Sequence, residues 1–299
     1  MIETGELAAL ATAVLWTLSS LAWTSAGKYV GALQVSFVRL LITSALLGGY
    51  GLAVHGRLLA TDVEPHDALI LAVSGFMGFF VTDVCLFKAF LVIGPRLSLL
   101  ILSLSPPAAG LISWVMLGDA LRAKDWLAML VTLGGVVWVV LEQPDVSGCL
   151  HYLRPERYGW GIALAVAGAL GHAVSLVLSK RGIAQYDPFE ATTIRVLGSM
   201  AGYVPLMTLL GRWPGTLAAL RNGRAMLIMT GGALVGPFLG VAMYLVAVRH
   251  SPAGVVATIL ATMPVLILPL VILLYRERVS TRAFLGAIVA VVGVGLLVL

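Results

Sequence analysis

The sequence predicts an all-α integral membrane protein in which ten transmembrane helices form two inverted five-helix repeats around a central cavity. Three observations support this fold class. Of the 299 residues, 60% are hydrophobic and 11% are charged, a composition that excludes a water-soluble enzyme of this length. Ten apolar stretches approach the ~20 residues that a helix needs to cross a hydrocarbon core of ~30 Å. The second half of the chain also repeats the first.

The predicted spans are separated by short polar or Gly/Pro-rich connections, none of which could hold a soluble domain. The spans cover residues 7–24, 33–54, 68–90, 97–117, 126–141, 158–179, 188–210, 225–248, 253–274 and 283–299. The acidic segment before the first span lacks the basic residues of a secretory signal, so we expect this span to remain in the protein. The formal charge of +5 is spread over short connections without a basic stripe, which excludes nucleic acid as a partner.

The longest connection lies in the middle of the chain and separates two related halves. The predicted division is a first repeat at 1–142, a connecting loop at 143–157 and a second repeat at 158–299. A shift of 158 residues superposes Gly78 on Gly236 and Pro106 on Pro264, matches that hydrophobicity alone would not produce. Because five is an odd number of spans, the second repeat must enter the membrane from the opposite side.

Inverted five-helix halves with prolines in spans four and nine resemble the EamA-type transporters of the drug/metabolite transporter superfamily. Asp119 and Glu277 stand where members of that family tend to have a Gly-Glu pair, although Asp replaces Glu in the first copy and Arg276 replaces Gly in the second. Within the superfamily, the length and the Trp-rich first span look most like the YddG-type exporters of amino acids, including aromatic ones.

The resemblance implies a secondary transporter that exports aromatic and other amino acids by alternating access. It also implies a multi-pass protein of the cell inner membrane that needs no cofactor and no metal. The implied partners are a small-molecule substrate and the lipid bilayer, with the monomer as the functional unit. In this family, spans one, three, four, six, eight and nine surround the cavity.

Those spans contain aromatic, hydroxyl and ionisable side chains that we predict to bind substrate. The predicted substrate-binding residues are Trp16, Ser20, Phe79, Phe80, Asp83, Ser103, His172, Ser175, Tyr244 and Thr262. Asp83 should face protein or water, because a carboxylate at mid-span costs about 3 kcal/mol when it meets lipid. Prolines at repeat-related and neighbouring positions are natural pivots for alternating access. The predicted hinge residues are Pro106, Pro107, Pro237 and Pro264.

Each of these groups has a structural alternative. Serine and threonine hydroxyls inside spans often bond to a carbonyl one turn earlier, and His172 fits a protein core as well as a cavity wall. The small-residue row in span eight is expected to be a helix-packing surface; this row is Gly232, Gly236 and Gly240. We expect Trp23 in the interfacial aromatic belt and Lys88 close enough to Asp83 for partial charge compensation.

Two matched arginines lie about two turns inside spans two and seven, Arg39 and Arg195. Because a long arginine side chain reaches the interface from that depth, both are predicted to be structural anchors rather than site residues.

Three other functions remain open at this point. One is transport of a different metabolite or a drug by the same kind of carrier, and another is a channel or scaffold. The third is a membrane-embedded lipid-modifying enzyme, although the chain has no recognisable catalytic motif. The sequence leaves proton coupling and the direction of insertion undecided, because basic residues favour both termini outside whereas the family resemblance favours both inside.

Overall fold

The computed structural model describes residues 4–57, 63–117, 123–141, 157–182, 186–250, 259–260, 262–275 and 280–298. Within these ranges, all regular secondary structure is helical, which agrees with the predicted all-α fold. Most of the connecting loop predicted at 143–157 lies outside the described residues, as do Asp119, Arg276 and Glu277.

In the first repeat, the described residues form seven α-helices and one π-helical segment, which we name π1. These are α1 (Thr4–Val30), α2 (Ala32–His55), α3 (Pro65–Gly75), π1 (Phe76–Val81), α4 (Thr82–Val92), α5 (Gly94–Leu102), α6 (Ser105–Leu117) and α7 (Ala123–Leu141). Span three is therefore one continuous helical rod made of α3, π1 and α4. Span four is broken between α5 and α6.

The described residues of the second repeat follow this order, except that they include one extra helix and that the stretch matching α5 lies mostly outside them. A π-helical segment, π2, matches π1. Its elements are α8 (Tyr158–Gly182), α9 (Pro188–Leu209), α10 (Trp213–Arg221), α11 (Gly223–Ala233), π2 (Leu234–Gly240), α12 (Val241–His250), α13 (Met263–Tyr275) and α14 (Thr281–Val298). Four pairs of related elements begin 158 residues apart: α3 and α11, π1 and π2, α6 and α13, and α7 and α14. A fifth pair, α4 and α12, begins 159 residues apart. The internal repeat predicted from the sequence is thus present at the level of single helices.

Helix length and composition identify fewer long spans than the ten predicted. Five described helical rods are long and apolar enough to cross a membrane, and α9 with α10 makes a sixth if this pair, bent by 108°, is one span. Spans five, nine and ten appear as shorter apolar helices whose ends border residues outside the described ranges. Gly211, at φ 58°, ends α9 where the sequence predicts only a connection, and α10 follows as an element that the sequence does not reveal.

Hydrogen bonds of Thr82 stabilise the end of π1. The backbone N–H of Thr82 donates to the carbonyl of Met77, five residues earlier, which is the hydrogen-bond pattern of a π-helix. The Thr82 hydroxyl donates to the same carbonyl at 3.0 Å and to the carbonyl of Gly168 on α8 at 3.3 Å. Thr82 therefore ties the end of π1 to α8.

The two repeats contact each other reciprocally. A Cβ atom at Gly78 in π1 would overlap the Ser175 hydroxyl on α8, and a Cβ at Gly236 in π2 would lie 2.7 Å from the Ser19 hydroxyl on α1. Ser19 and Ser175 follow the same offset as Arg39 and Arg195. Because each copy presents its glycine to the matched serine of the other, an approximate two-fold axis relates the copies, as the inverted-repeat prediction requires.

Spans five and ten form a second reciprocal contact. A Cβ atom at Gly135 on α7 would lie 2.5 Å from the backbone nitrogen of Ala290 on α14, and a Cβ at Gly293 on α14 would overlap the backbone of Thr132 on α7. The opposite faces of both helices expose large apolar side chains such as Leu130. These two helices therefore pack on each other and leave an outer apolar surface that suits lipid.

Candidate substrate-binding site

Arg39 and Asp83 form a buried ion pair between α2 and α4. The Arg39 guanidinium also lies near three aromatic rings, with its Cζ atom 5.6 Å from the centre of Trp23, 5.9 Å from Phe79 and 5.4 Å from Phe87. Arg39 is thus neutralised by a carboxylate and surrounded by aromatic side chains, an arrangement that stabilises a cation inside a membrane protein.

This ion pair corrects three expectations. The Arg39 side chain points into the protein, so it is not the interfacial anchor that the sequence predicted. Lys88 is exposed, and the charge of Asp83 is compensated by Arg39 instead. Trp23 is only 5% exposed and stacks on Phe87 at 6.1 Å, so it belongs to the core rather than to an aromatic belt.

Arg195 on α9, the repeat-related arginine, has a different environment. Its guanidinium donates to the Ser175 hydroxyl on α8 at 3.1 Å and lies 4.8 Å from the centre of the Phe79 ring. Its Nε atom is buried and has no hydrogen-bond partner. In the part of the chain that the structure describes, no carboxylate pairs with Arg195. The residue that matches Asp83 in the second repeat is Val241.

Two glycines of span three set the position of this arginine. A Cβ atom at Gly75 would overlap the backbone carbonyl of Arg195, and a Cβ at Gly78 would overlap the Ser175 hydroxyl. Larger residues at either position would push α9 or α8 away. The small residues therefore allow three helices to meet where the Arg195 side chain begins.

Ser175 is oriented by a second hydrogen bond. Its hydroxyl donates to the backbone carbonyl of Ser74 on α3 at 2.7 Å and accepts from Arg195. Because the hydroxyl proton is directed to Ser74, an oxygen lone pair is available to the guanidinium. The predicted site residue Ser175 is thus a fixed acceptor for Arg195.

Trp16 and Tyr244 connect α1 to α12 beside this group. Their rings stack with centres 5.9 Å apart and planes inclined by 27°. Gly240 leaves room for the indole, since a Cβ there would overlap the Trp16 ring nitrogen. His172 and Tyr244 both lie within electrostatic range of Arg195, and the His172 side chain is exposed on α8.

Four other predicted binding residues make local or core contacts. The hydroxyls of Ser20, Ser103 and Thr262 each donate to the carbonyl three residues earlier in the chain. Phe80 packs on Tyr203 of α9, with ring centres 4.8 Å apart. The structure places Phe79 and Ser175 against Arg195. Tyr244 lies within electrostatic range of Arg195, and Trp16 stacks on Tyr244. Asp83 pairs with Arg39, which also lies near Phe79. The structure does not place the hydroxyls of Ser20, Ser103 and Thr262 in this group.

The small residues of span eight serve helix packing, as expected. Cβ atoms at Gly232, Gly236 and Gly240 would collide with Trp23, Ser19 and Trp16 of α1. This row lets span eight approach α1 closely.

The predicted hinge prolines lie at helix starts or inside a π-helix. Pro106 and Pro107 follow the first residue of α6, directly after the break in span four, and Pro264 is the second residue of α13. Pro237 lies inside π2. Helices α6 and α13 therefore begin at matched positions with a proline in the first turn, where the missing N–H costs no helical hydrogen bond.

Arg195 and Arg39 are the functional candidates that sequence reasoning missed. A signal was present, because ionisable groups inside spans mark functional sites by default and these two occupy matched positions. Among the described residues, no three His, Cys, Asp or Glu side chains lie close enough together to hold a metal ion.

Comparisons with known proteins agree on the fold. The model of the EamA-like transporter family matches residues 3–141 and 159–299. No curated protein matches the chain. Eighteen chains of solved structures do; one, titled only as the crystal structure of a protein, aligns with a TM-score of 0.63 and 22% sequence identity over 98% of this chain and 95% of that chain. At that identity the likeness supports the fold alone.

Proposed function

The chain belongs to the EamA-like transporter family, and from this premise we propose that it exports amino acids, aromatic ones among them, across the cell inner membrane. Family membership indicates a transporter of the drug/metabolite type rather than an enzyme. The amino-acid substrate, the direction of transport and alternating access are the parts that we add. Both repeats that would form the site lie in one chain, so the proposed transport unit is the monomer.

One observation carries the proposal. The centre of the Phe79 ring lies near two guanidinium groups, 5.9 Å from the Cζ atom of Arg39 in the first repeat and 4.8 Å from that of Arg195 in the second. Carriers built from inverted repeats bind substrate where the repeats meet, near the membrane midplane. A concentration of charge and aromatic surface at that junction is what a polar substrate with an apolar side chain needs.

The neighbouring side chains suit an amino acid. Trp16, Phe79 and Tyr244 offer flat apolar surfaces for the substrate side chain and cation–π contact for its ammonium group. Arg195 offers N–H donors to its polar end, and Ser175 orients the guanidinium.

The starts of α6 and α13 support alternating access. Both helices begin at matched positions, each with a proline in its first turn. A rigid-body tilt of these helices at their first turns would open the junction first to one side and then to the other. Pro106 and Pro264 are the proposed pivots.

Transport by purified protein in proteoliposomes tests the proposal. The assay measures uptake and counterflow of labelled amino acids, sugars and cationic drugs. We expect saturable counterflow of large apolar amino acids and none of sugars. Counterflow limited to a drug or to another metabolite would refute the amino-acid substrate but would still support a carrier. Single-channel currents or turnover of a lipid would refute the carrier itself.

The pivots are tested separately with the double variant Pro106→Ala/Pro264→Ala. We expect counterflow to slow at least several-fold while substrate affinity stays close to that of the wild type. Pro205→Ala, a proline inside α9, is the matched control and should leave the rate of counterflow nearly unchanged. Equal rates in the wild type and the double variant would rule out the hinge.

A further inference from the structure

The two matched arginines differ in how their charges are compensated. Arg39 pairs with Asp83, whereas the corresponding position in the second repeat is Val241, which carries no charge. Arg195 therefore keeps a positive charge that no carboxylate of the described residues neutralises. A charge left in this state inside a membrane is costly, and proteins retain such groups for ligands.

The contacts of Arg195 leave part of its guanidinium available. One terminal nitrogen donates to Ser175, and the Cζ atom lies over the Phe79 ring. The buried Nε atom has no partner. A guanidinium has five N–H donors in a planar fork, and the fork matches the two oxygens of a carboxylate.

We infer that Arg195 binds the carboxylate of the transported molecule and that this carrier selects carboxylates over the corresponding amines. The inference rests on the proposed function and names the charged subsite within it. The substrate carboxylate supplies the negative charge that Asp83 supplies to Arg39 in the first repeat. Phe79 holds the guanidinium plane, Ser175 fixes its rotation, and Trp16 with Tyr244 provides the apolar surface for the rest of the substrate.

An anchor at the interface would be built differently. A snorkelling arginine keeps its head group in water, whereas Arg195 directs its head group to Ser175 and Phe79 and buries Nε. The contacts therefore favour a ligand-binding role over an anchoring one.

The experiment compares ligands that share a phenylethyl group and differ in whether they carry a carboxylate. Counterflow in proteoliposomes is measured with L-phenylalanine, 3-phenylpropionate and phenylethylamine for the wild type, Arg195→Gln and Arg195→Lys. We expect the wild type to prefer the two acids by about tenfold or more, the effect of losing one charge-assisted hydrogen bond. Arg195→Gln should lose this preference through a raised KM for the acids, and Arg195→Lys should restore part of it.

A further variant makes the test specific. Arg224→Gln removes another guanidinium that lies over an aromatic ring, 5.3 Å from the centre of Tyr29, and should leave the preference intact.

Binding is measured in parallel through the shift in melting temperature of the detergent-solubilised protein with each of the three compounds. This measurement does not depend on transport. Stabilisation by the acids in the wild type, absent in Arg195→Gln, supports the inference even if no amino acid is carried. An acid preference that persists in folded Arg195→Gln overturns the inference and leaves the proposed transport function standing. No response to any acid in the wild type overturns it as well.

Discussion

The two repeats share their helices but not their charges. Glycine contacts, helix starts and π-helical segments recur at matched positions in both copies. The surroundings of the matched arginines do not recur, because Arg39 is paired with Asp83 and Arg195 faces Ser175 and Phe79. In this duplicated fold, the symmetric positions maintain packing, and the position where symmetry fails carries the candidate binding chemistry.

The largest effect on stability should come from removing the charge of Asp83, the partner of Arg39. Asp83→Asn leaves Arg39 buried without its counter-charge, which we expect to lower the free energy of unfolding by about 3–5 kcal/mol. The apparent melting temperature in detergent measures the change. Arg39→Met/Asp83→Leu removes both charges and should recover most of the loss, because no buried charge is then left alone. An unchanged melting temperature in Asp83→Asn would mean that the ion pair contributes nothing to stability.

A methyl group at the contact of spans five and ten should have the next largest effect. Gly135→Ala places its Cβ 2.5 Å from the backbone of Ala290, where nothing flexible can yield, and should cost about 1–3 kcal/mol. Gly134→Ala is the matched control, since a Cβ there meets nothing within 4 Å; it should be neutral or slightly stabilising. Equal melting temperatures for the two variants would contradict the close crossing.

A smaller difference in stability is expected between variants of the two matched serines, Ser19 and Ser175. Ser175→Ala removes hydrogen bonds to Ser74 and Arg195, whereas Ser19→Ala removes only a bond to the carbonyl of Trp16 in its own helix. We expect Ser175→Ala to cost about 1 kcal/mol and Ser19→Ala to cost less. The melting temperatures of both variants measure this difference, and a larger loss in Ser19→Ala would contradict the greater structural role assigned to the Ser175 hydroxyl.

The smallest effect should come from the ion pair at the end of α2. Arg57 and Glu190 lie 3.0 Å apart with a third of the arginine side chain exposed. Glu190→Gln should therefore change stability by at most about 1 kcal/mol, far less than Asp83→Asn. A loss as large as that of Asp83→Asn would show that burial does not distinguish the two pairs.

Much of the fold could be predicted from the sequence. Apolar length, the 158-residue offset and the prolines of spans four and nine locate the helices and their duplication. The sequence analysis did not identify π1, π2 or α10. A π-helical turn depends on a shift in backbone hydrogen bonds that side-chain pattern does not show. Helix α10 is too short to cross a membrane, and its Gly/Pro-containing start resembles a connection, although the proline in its first turn is also a helix-start signal.

The candidate site was harder to predict. Phe79, Ser175 and Tyr244 could be chosen because they are polar or aromatic residues inside spans. Arg39 could not be paired with Asp83 from the sequence, since the two lie 44 positions apart and an arginine two turns inside a helix can also reach the interface. The depth and direction of a long side chain depend on the neighbouring helices, and only the three-dimensional arrangement shows them.

The π-helical turns have a mechanical consequence for spans three and eight. Each adds a residue to a turn, and one residue corresponds to about 100° of rotation around a helix axis. The half-span after π1, which carries Asp83, is therefore turned relative to the half-span before it, which contacts α9 through Gly75. A shift of the extra residue along the rod would turn one half against the other while every helical segment stayed folded.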